Sequence, residues 1–191
     1  MTVVELKNIS KSYGDNKVFS DFNCSFEYGK TYCIMGKSGC GKTTLLNIIL
    51  GLVKPDSGDI SGVPEKVSAV FQEDRLCEDI TAYANVFAAA PKGVKRDDIE
   101  RCLSELGLGE SIYKPTKELS GGMKRRVAIA RALIAEGDIY IFDEPFKGLD
   151  GETREMTMKV VSEYTKGKTL VFSTHDVTEA NALNACLLSV E

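Results

Sequence analysis

Short apolar runs alternate with amphipathic stretches along most of this chain. The runs are rich in β-branched and aromatic residues, as buried strands are, and they occupy residues 31–35, 67–71, 139–142, 169–172 and 187–190. Helical patterns follow them at residues 44–50 and from about residues 152 and 177. Apolar strands that alternate with helices are typical of a mostly parallel sheet flanked by helices, so the pattern predicts an α/β fold.

The N-terminal part has a different pattern. Residues 3–9 alternate between apolar and polar positions, as in a half-exposed strand, and a second strand is predicted near residues 24–27. Residues 11–17 and 54–59 are polar and rich in turn-forming residues, so we expect loops there.

The middle of the chain is predicted to be helical. Helical patterns cover residues 82–90 and 97–106, and a long helix follows Ser120, with Val127, Ala130 and Ile134 along one face. We therefore expect a helical subdomain over about residues 73–135, inserted into the α/β core of a single domain that spans residues 1–191.

A phosphate-binding motif lies between the predicted strand 31–35 and the predicted helix 44–50. Residues 36–43 fit the pattern G-x-x-x-x-G-K-[ST], in which glycines let backbone N–H groups approach phosphate oxygens. Lys42 supplies a charge for the phosphates, and Thr43 supplies a hydroxyl for Mg²⁺. The predicted contacts to a nucleoside triphosphate are Gly36, Lys37, Ser38, Gly39, Cys40, Gly41, Lys42, Thr43 and Thr44.

Two acids follow the apolar run 139–142. In a phosphate-loop protein an Asp at a strand end holds Mg²⁺, and one carboxylate is enough because phosphate oxygens complete the coordination. Asp143 takes that role, which leaves Glu144 to orient or deprotonate the attacking water. Without the phosphate loop, two solvated acids in a loop would explain the pattern equally well.

Two further features permit more than one interpretation. Ser120, Gly121 and Gly122 precede a helix and form either a second anion site or an ordinary capped helix start. His175 is the only histidine, and it is either structural or, at a strand end beside a nucleotide site, functional.

Together these residues resemble the ATP-binding-cassette (ABC) ATPase family over essentially the whole chain. The resemblance assigns the phosphate loop as Walker A, residues 119–123 as the signature and Asp143 as Walker B. It also assigns Tyr13 as the aromatic that stacks on adenine, Gln72 as the glutamine that contacts Mg²⁺ and the attacking water, Asp150 as part of the D-loop, and His175 as a switch at the γ-phosphate.

The family implies a phosphate-loop NTPase core with an N-terminal antiparallel β subdomain and a helical insertion. It implies a head-to-tail homodimer, or a pair with another ABC subunit, in which each ATP lies between one phosphate loop and the partner's signature. Glu144 would be the catalytic base, and an integral membrane permease would be the partner. The residue sequence of the signature resembles that of importer ATPases of the nitrate, sulfonate and taurine type.

Two positions depart from the family pattern. Met123 stands where a glutamine usually follows the signature glycines, and Lys147 stands where the D-loop usually begins with a small hydroxyl residue. Lys147 either pairs with phosphate or an acid at the dimer seam or is simply solvated. Coupling between the two ATP sites is the property that these departures affect.

Composition narrows the alternatives. The net charge is −4, which argues against nucleic acid as a partner and against a soluble ABC protein that acts on nucleic acid or ribosomes. The catalytic motifs argue against a cassette that serves only in assembly. With no apolar run near 18 residues and no signal-peptide pattern, we expect a cytoplasmic protein held peripherally at the inner face of the membrane by its permease. The six cysteines fit no metal motif, and all but Cys40, which lies inside the phosphate loop, are expected to be reduced core thiols.

Overall fold

The structure is a computed structural model that describes residues 2–190. The chain forms two compact units: the first comprises the residues up to 67, 138–143 and those from 167 on, and the second comprises 68–137 and 144–166. The strands are β1 (Thr2–Tyr13), β2 (Asn16–Glu27), β3 (Thr31–Met35), β4 (Ser57–Ser61), β5 (Val67–Val70), β6 (Ile139–Asp143), β7 (Thr169–Thr174) and β8 (Cys186–Ser189). The helices are α1 (Lys42–Ile49), α2 (Ala82–Phe87), α3 (Arg96–Glu105), α4 (Gly121–Ile134), α5 (Gly151–Tyr164) and α6 (Val177–Ala182), with short 3-10 helices at Gly109–Ser111 and Thr116–Glu118.

The first unit begins with an antiparallel sheet in the order β2, β1, β4. The turn-rich segment 11–17 contains the turn of a hairpin at Gly14 and Asp15, but strands β1 and β2 extend into it, so that Tyr13 pairs with Asn16. The predicted loop at 54–59 is wrong in part, because β4 begins at Ser57 and pairs with β1. Most side chains of β4 are exposed, and an antiparallel strand with one face in water can be polar, so no apolar pattern revealed it.

The parallel sheet confirms the predicted α/β architecture. In the first unit its strands lie in the order β6, β7, β3 and β8, with Asp143 opposite Ser173 and Met35 opposite Thr174. All residues of β6 and β7 are buried, which explains why their sequences are continuous apolar runs.

Helix α1 anchors the core of the first unit. Its buried face consists of Leu45, Leu46, Ile48 and Ile49, and it packs in one cluster with residues of β1, β3, β6 and β7. This packing fixes the position of the start of α1 relative to the end of β3. The short connection between them, residues 36–41, is therefore held at both ends by buried elements.

The second unit is mainly helical and contains α2, α3, α4 and α5. The predicted helices 82–90 and 97–106 occur at Ala82–Phe87 and Arg96–Glu105. Thr81 caps α2 by accepting a hydrogen bond from Ala84 N at 3.1 Å. The predicted helical subdomain, about residues 73–135, lies within this unit, and the assignment of the whole chain to one domain stays a prediction. Across residues 2–190, no helix has both the length and the apolar character that crossing a membrane requires.

Candidate nucleotide site

The phosphate loop (residues 36–43) joins β3 to α1 in the first unit. The ammonium of Lys42 turns back onto this loop, where its Nζ donates to the carbonyl oxygens of Gly36 at 2.8 Å and Lys37 at 3.1 Å. Lys42 is 7% exposed, whereas Ser38, Gly39 and Thr43 are exposed. The loop thus concentrates one positive charge and the N-terminus of α1 at a single concave turn, which is an environment that favours anions.

Two glycines of the loop cannot carry a side chain. A Cβ at Gly36 would lie 2.4 Å from Val190 O and 2.5 Å from Cys40 Sγ. Gly41 has a φ of +105°, and a Cβ there would lie 2.5 Å from Val18 Cγ1. The glycines of the motif are therefore required by close packing as well as by the approach of a ligand.

Thr43 and Asp143, the two predicted Mg²⁺ ligands of the first unit, are in direct contact. Thr43 Oγ1 donates to Asp143 Oδ2 at 2.6 Å, and Ser173 Oγ donates to Asp143 Oδ1 at 2.5 Å. Asp143 is 6% exposed, so its carboxylate has little contact with water. The hydroxyls from α1 and β7 supply the hydrogen bonds that water would otherwise donate. Residue Ser173 was not predicted from the sequence, although its place at the end of the strand beside β6 is a usable signal.

His175 lies on the same cleft as the phosphate loop. A cleft of about 900 Å³ in the first unit is lined by Met35, Gly36, Lys37, Cys40, His175, Ser189 and Val190. His175 is exposed and directly follows β7, so its imidazole is accessible to a ligand in that cleft. This position favours the functional interpretation of the lone histidine over the structural one.

Tyr13 ends β1 with its ring 51% exposed. The Nζ of Lys11 lies 5.4 Å from the ring centroid, and the same Nζ pairs with Asp56 Oδ1 at 2.8 Å. This hydrogen bond from Lys11 is the main cause that holds the pKa of the Asp56 carboxyl below its usual value. An exposed aromatic ring is suited to stacking on a base.

The signature residues start helix α4 in the second unit. Ser120 caps the helix by accepting a hydrogen bond from Met123 N at 3.3 Å. Gly121 is exposed, and a Cβ placed on it would meet no atom within 4 Å. The helix start is therefore open to solvent at Gly121, and the observation fits both a second anion site and a capped helix.

Gln72 and Glu144 occupy two loops of the second unit. Gln72 is exposed and lies shortly after β5. Glu144 has a φ of +45°, a conformation that is uncommon for residues other than glycine. Its Oε2 lies 2.8 Å from Lys147 Nζ, so the unusual lysine of the D-loop pairs with the predicted base of its own chain.

Asp150 serves as a helix cap in the structure. Its Oδ1 accepts a hydrogen bond from Thr153 N at 3.0 Å at the start of α5. Hydrogen bonds from Thr153 hold the pKa of the Asp150 carboxyl below its usual value. Its predicted contact with nucleotide stays a prediction.

Only some of the cysteines are buried in the core. All six are free thiols, and Cys33 and Cys102 are buried as predicted, but Cys77 and Cys186 are exposed. Burial raises the pKa of the Cys33 and Cys102 thiols to about 12. The prediction failed at Cys77 because it lies in an irregular segment, and at Cys186 because its strand β8 exposes that residue.

Comparison with known proteins identifies the family. The family model described as ABC transporter matches residues 19–147, which is more than half of the chain. The chain belongs to the ABC transporter family. An aliphatic sulfonates import ATP-binding protein, SsuB 2, of Burkholderia cenocepacia (strain HI2424) is 36% identical over 190 residues, covering 93% of this chain and 70% of that protein. The taurine import ATP-binding protein TauB of Roseobacter denitrificans (strain ATCC 33942 / OCh 114) is 36% identical over 207 residues, covering 98% and 77%.

A solved structure agrees with this assignment. The ATP-binding cassette MJ0796, in a dimeric post-hydrolysis state bound to ADP and Pi, matches with a TM-score of 0.86 and 30% identity, covering 98% of this chain and 94% of that one. The predicted resemblance, the phosphate-loop NTPase fold and the role as an ATP-hydrolysing subunit of an ABC transporter are therefore confirmed. Because both relatives are named import proteins, the transporter interpretation is favoured over a function with nucleic acid or ribosomes.

Proposed function

We propose that this ABC cassette binds ATP with Mg²⁺ at the phosphate loop, hydrolyses it with Glu144 as base, and drives import through a membrane permease. The observation that carries the proposal is the arrangement of three residues of the first unit: Lys42 turns back onto the phosphate loop, and Thr43 beside it bonds to Asp143 at the end of β6. Hydroxyl and carboxylate oxygens are the ligands that Mg²⁺ prefers, and these two residues are already 2.6 Å apart, so the site fits the ion.

The first unit would hold the nucleotide. Lys42 would exchange its bonds to the loop carbonyls for bonds to phosphate oxygens, while Thr43 and Asp143 would hold Mg²⁺ and His175 would contact the γ-phosphate. The ion held by these residues would supply positive charge that neutralises the phosphates. Tyr13 would stack on the adenine.

The second unit would supply the base and the partner contact. Glu144 would take a proton from the attacking water, and Gln72 would contact that water. Ser120, Gly121 and Gly122 would bind the ATP held by a second cassette, through backbone N–H groups and the start of α4. The Lys147 pair with Glu144 would have to loosen for the carboxylate to reach the water.

The names of the similar proteins support a function in import. The sulfonate and taurine proteins are import ATP-binding proteins, and this chain matches nearly its full length to each. We infer that the cassette works as a pair at the inner face of the membrane, docked on a permease that determines the cargo.

The proposal is tested by the Mg²⁺-dependent ATPase activity of the purified chain. Lys42→Ala should weaken nucleotide affinity on the order of 10- to 100-fold, since a charged hydrogen-bonding group is lost. Glu144→Gln should keep nucleotide affinity and lose hydrolysis. Unchanged affinity in Lys42→Ala, or unchanged turnover in Glu144→Gln, would contradict the assignment of that residue.

A further inference from the structure

A buried arginine in helix α4 ties together the two loops that carry Gln72 and Glu144. Arg125 is 5% exposed and lies about one helical turn after the signature glycines. All of the atoms considered below belong to the second unit, so their geometry is that of one compact body.

On one side, the guanidinium holds the segment around Gln72. Nη1 of Arg125 donates to Phe71 O at 2.6 Å and to Gln72 O at 3.4 Å, and it pairs with Asp74 Oδ1 at 3.0 Å. A bond to the peptides on either side of Gln72 restricts the direction in which its side chain leaves the backbone. Gln72 itself remains exposed.

On the other side, the same guanidinium holds the segment around Glu144. Nη2 donates to Glu144 O at 2.7 Å, and Nε donates to Pro145 O at 3.0 Å. Glu144 has a φ of +45°, and such a conformation persists only where the surroundings hold it. Two hydrogen bonds to consecutive carbonyls are a direct means of holding it.

This set of hydrogen bonds requires an arginine side chain. A guanidinium presents five N–H donors in a rigid plane, whereas an ammonium presents three from one point. Here Nε, Nη1 and Nη2 all donate, and they reach carbonyls 19, 20, 53 and 54 residues away along the chain. Lysine would keep the charge but could not reach both loops at once.

We propose that Arg125 is a positioning residue for ATP hydrolysis, which sets the backbone of Gln72 and of Glu144 with a single guanidinium. This inference rests on the proposed function, in which both side chains contact the attacking water. It goes further by assigning the relative placement of the two side chains to a residue that touches neither nucleotide nor water. Nucleotide binding in the first unit is independent of it.

The test compares kcat and KM for ATP in the wild type, Arg125→Lys and Arg125→Gln. Gln is included because it keeps two N–H donors and avoids a buried charge with too few partners. We expect kcat to fall on the order of 10- to 100-fold, as small misplacements of reacting groups do, with KM for ATP within about twofold. Thermal unfolding of each variant, with and without ATP, shows whether it is folded and still binds nucleotide.

Arg126→Lys is the matched control on the same helix. Its Nη1 also donates to backbone carbonyls, those of Leu106 at 2.7 Å and Gly107 at 3.2 Å after α3, and its Nε donates to Gly122 O at 3.2 Å within α4, so none of these partners lies in the loops of Gln72 and Glu144. This variant should lose thermal stability to a similar extent and keep its kcat within about twofold of the wild type.

Several outcomes would overturn the assignment of Arg125. Folded Arg125 variants with wild-type kcat would do so, as would a raised KM at unchanged kcat, or an equal loss of kcat in Arg126→Lys. If neither Arg125 variant folds, the residue serves folding and not positioning. A wild type without ATPase activity would instead contradict the proposed function itself.

Discussion

The phosphate loop and the loop of Glu144 both follow a parallel strand, but they are held in different ways. The phosphate loop is held by its own residues: the Nζ of Lys42 bonds to carbonyls five and six residues earlier in the chain. The loop of Glu144 is held by Arg125, whose side chain comes from another element 19 residues earlier.

This difference separates binding from chemistry. Because the phosphate loop is held by bonds within itself and by packing inside the first unit, we expect affinity for nucleotide to be a local property of that unit. The orientation of the base depends on packing in the second unit and on partners distant along the chain. Substitutions in the two regions should therefore affect affinity and turnover separately.

The largest difference between an effect on nucleotide affinity and an effect on turnover is expected for Gly36→Ala compared with Gly121→Ala. The new Cβ at Gly36 would lie 2.4 Å from Val190 O, so the loop must shift, and nucleotide affinity of the isolated chain should fall about tenfold or more. The Cβ at Gly121 meets nothing within 4 Å, so that variant should bind nucleotide normally. Its turnover should fall, because the added methyl keeps the partner's phosphate from the helix start.

Fluorescent-nucleotide titration and an ATPase assay on the two variants measure both quantities. Equal nucleotide affinities in Gly36→Ala and the wild type would contradict the proposal that tight packing at Gly36 is needed for binding. Normal turnover in Gly121→Ala would favour the plain capped helix over a second anion site.

A smaller effect is expected from Tyr13→Ala. If the exposed ring stacks on adenine, ATP affinity should weaken by about 1–3 kcal/mol. Tyr28→Ala is the matched control: Tyr28 is similarly exposed, at 52%, but precedes the start of β3, while the phosphate loop follows its end. Calorimetric titration with ATP that shows the same affinity for both variants would leave Tyr13 as a surface residue.

The smallest effect concerns the thiols and requires no substitution. At pH 8, Cys77 and Cys186 should be alkylated first because they are exposed, and Cys40 in the nucleotide cleft should be protected by ATP. Cys33 and Cys102 should remain unmodified, since a pKa raised to about 12 leaves them protonated until the pH approaches that value. Peptide mass spectrometry checks each site, and equal labelling of Cys40 with and without ATP would contradict its place in the site.

The same contrast explains what the sequence could and could not predict. The phosphate loop and the cap at Ser120 follow from contiguous residues, and their geometry agrees with the prediction. The pairing of Ser173 with Asp143 requires the register of β6 and β7, which apolar runs do not encode. Strand β4 was missed because its polar side chains face solvent and its pairing with β1 uses the backbone alone.

Arg125 and Lys147 were beyond prediction for another reason. A basic residue in a helix is usually a solvated one, and nothing in the local sequence shows that Arg125 is buried against two loops. The pair between Lys147 and Glu144 depends on the irregular turn that follows β6, where Glu144 takes a positive φ.

The measurement that tests the central claim most directly is ATP-dependent dimerisation of Glu144→Gln by gel filtration. The substitution removes the base and the charge that pairs with Lys147, while the phosphate loop and the start of α4 stay intact. The account predicts a shift from monomer to dimer with ATP and Mg²⁺, no shift with ADP, and none in Glu144→Gln combined with Lys42→Ala. A Glu144→Gln variant that binds ATP and remains monomeric would contradict a nucleotide site completed by the signature of a second copy.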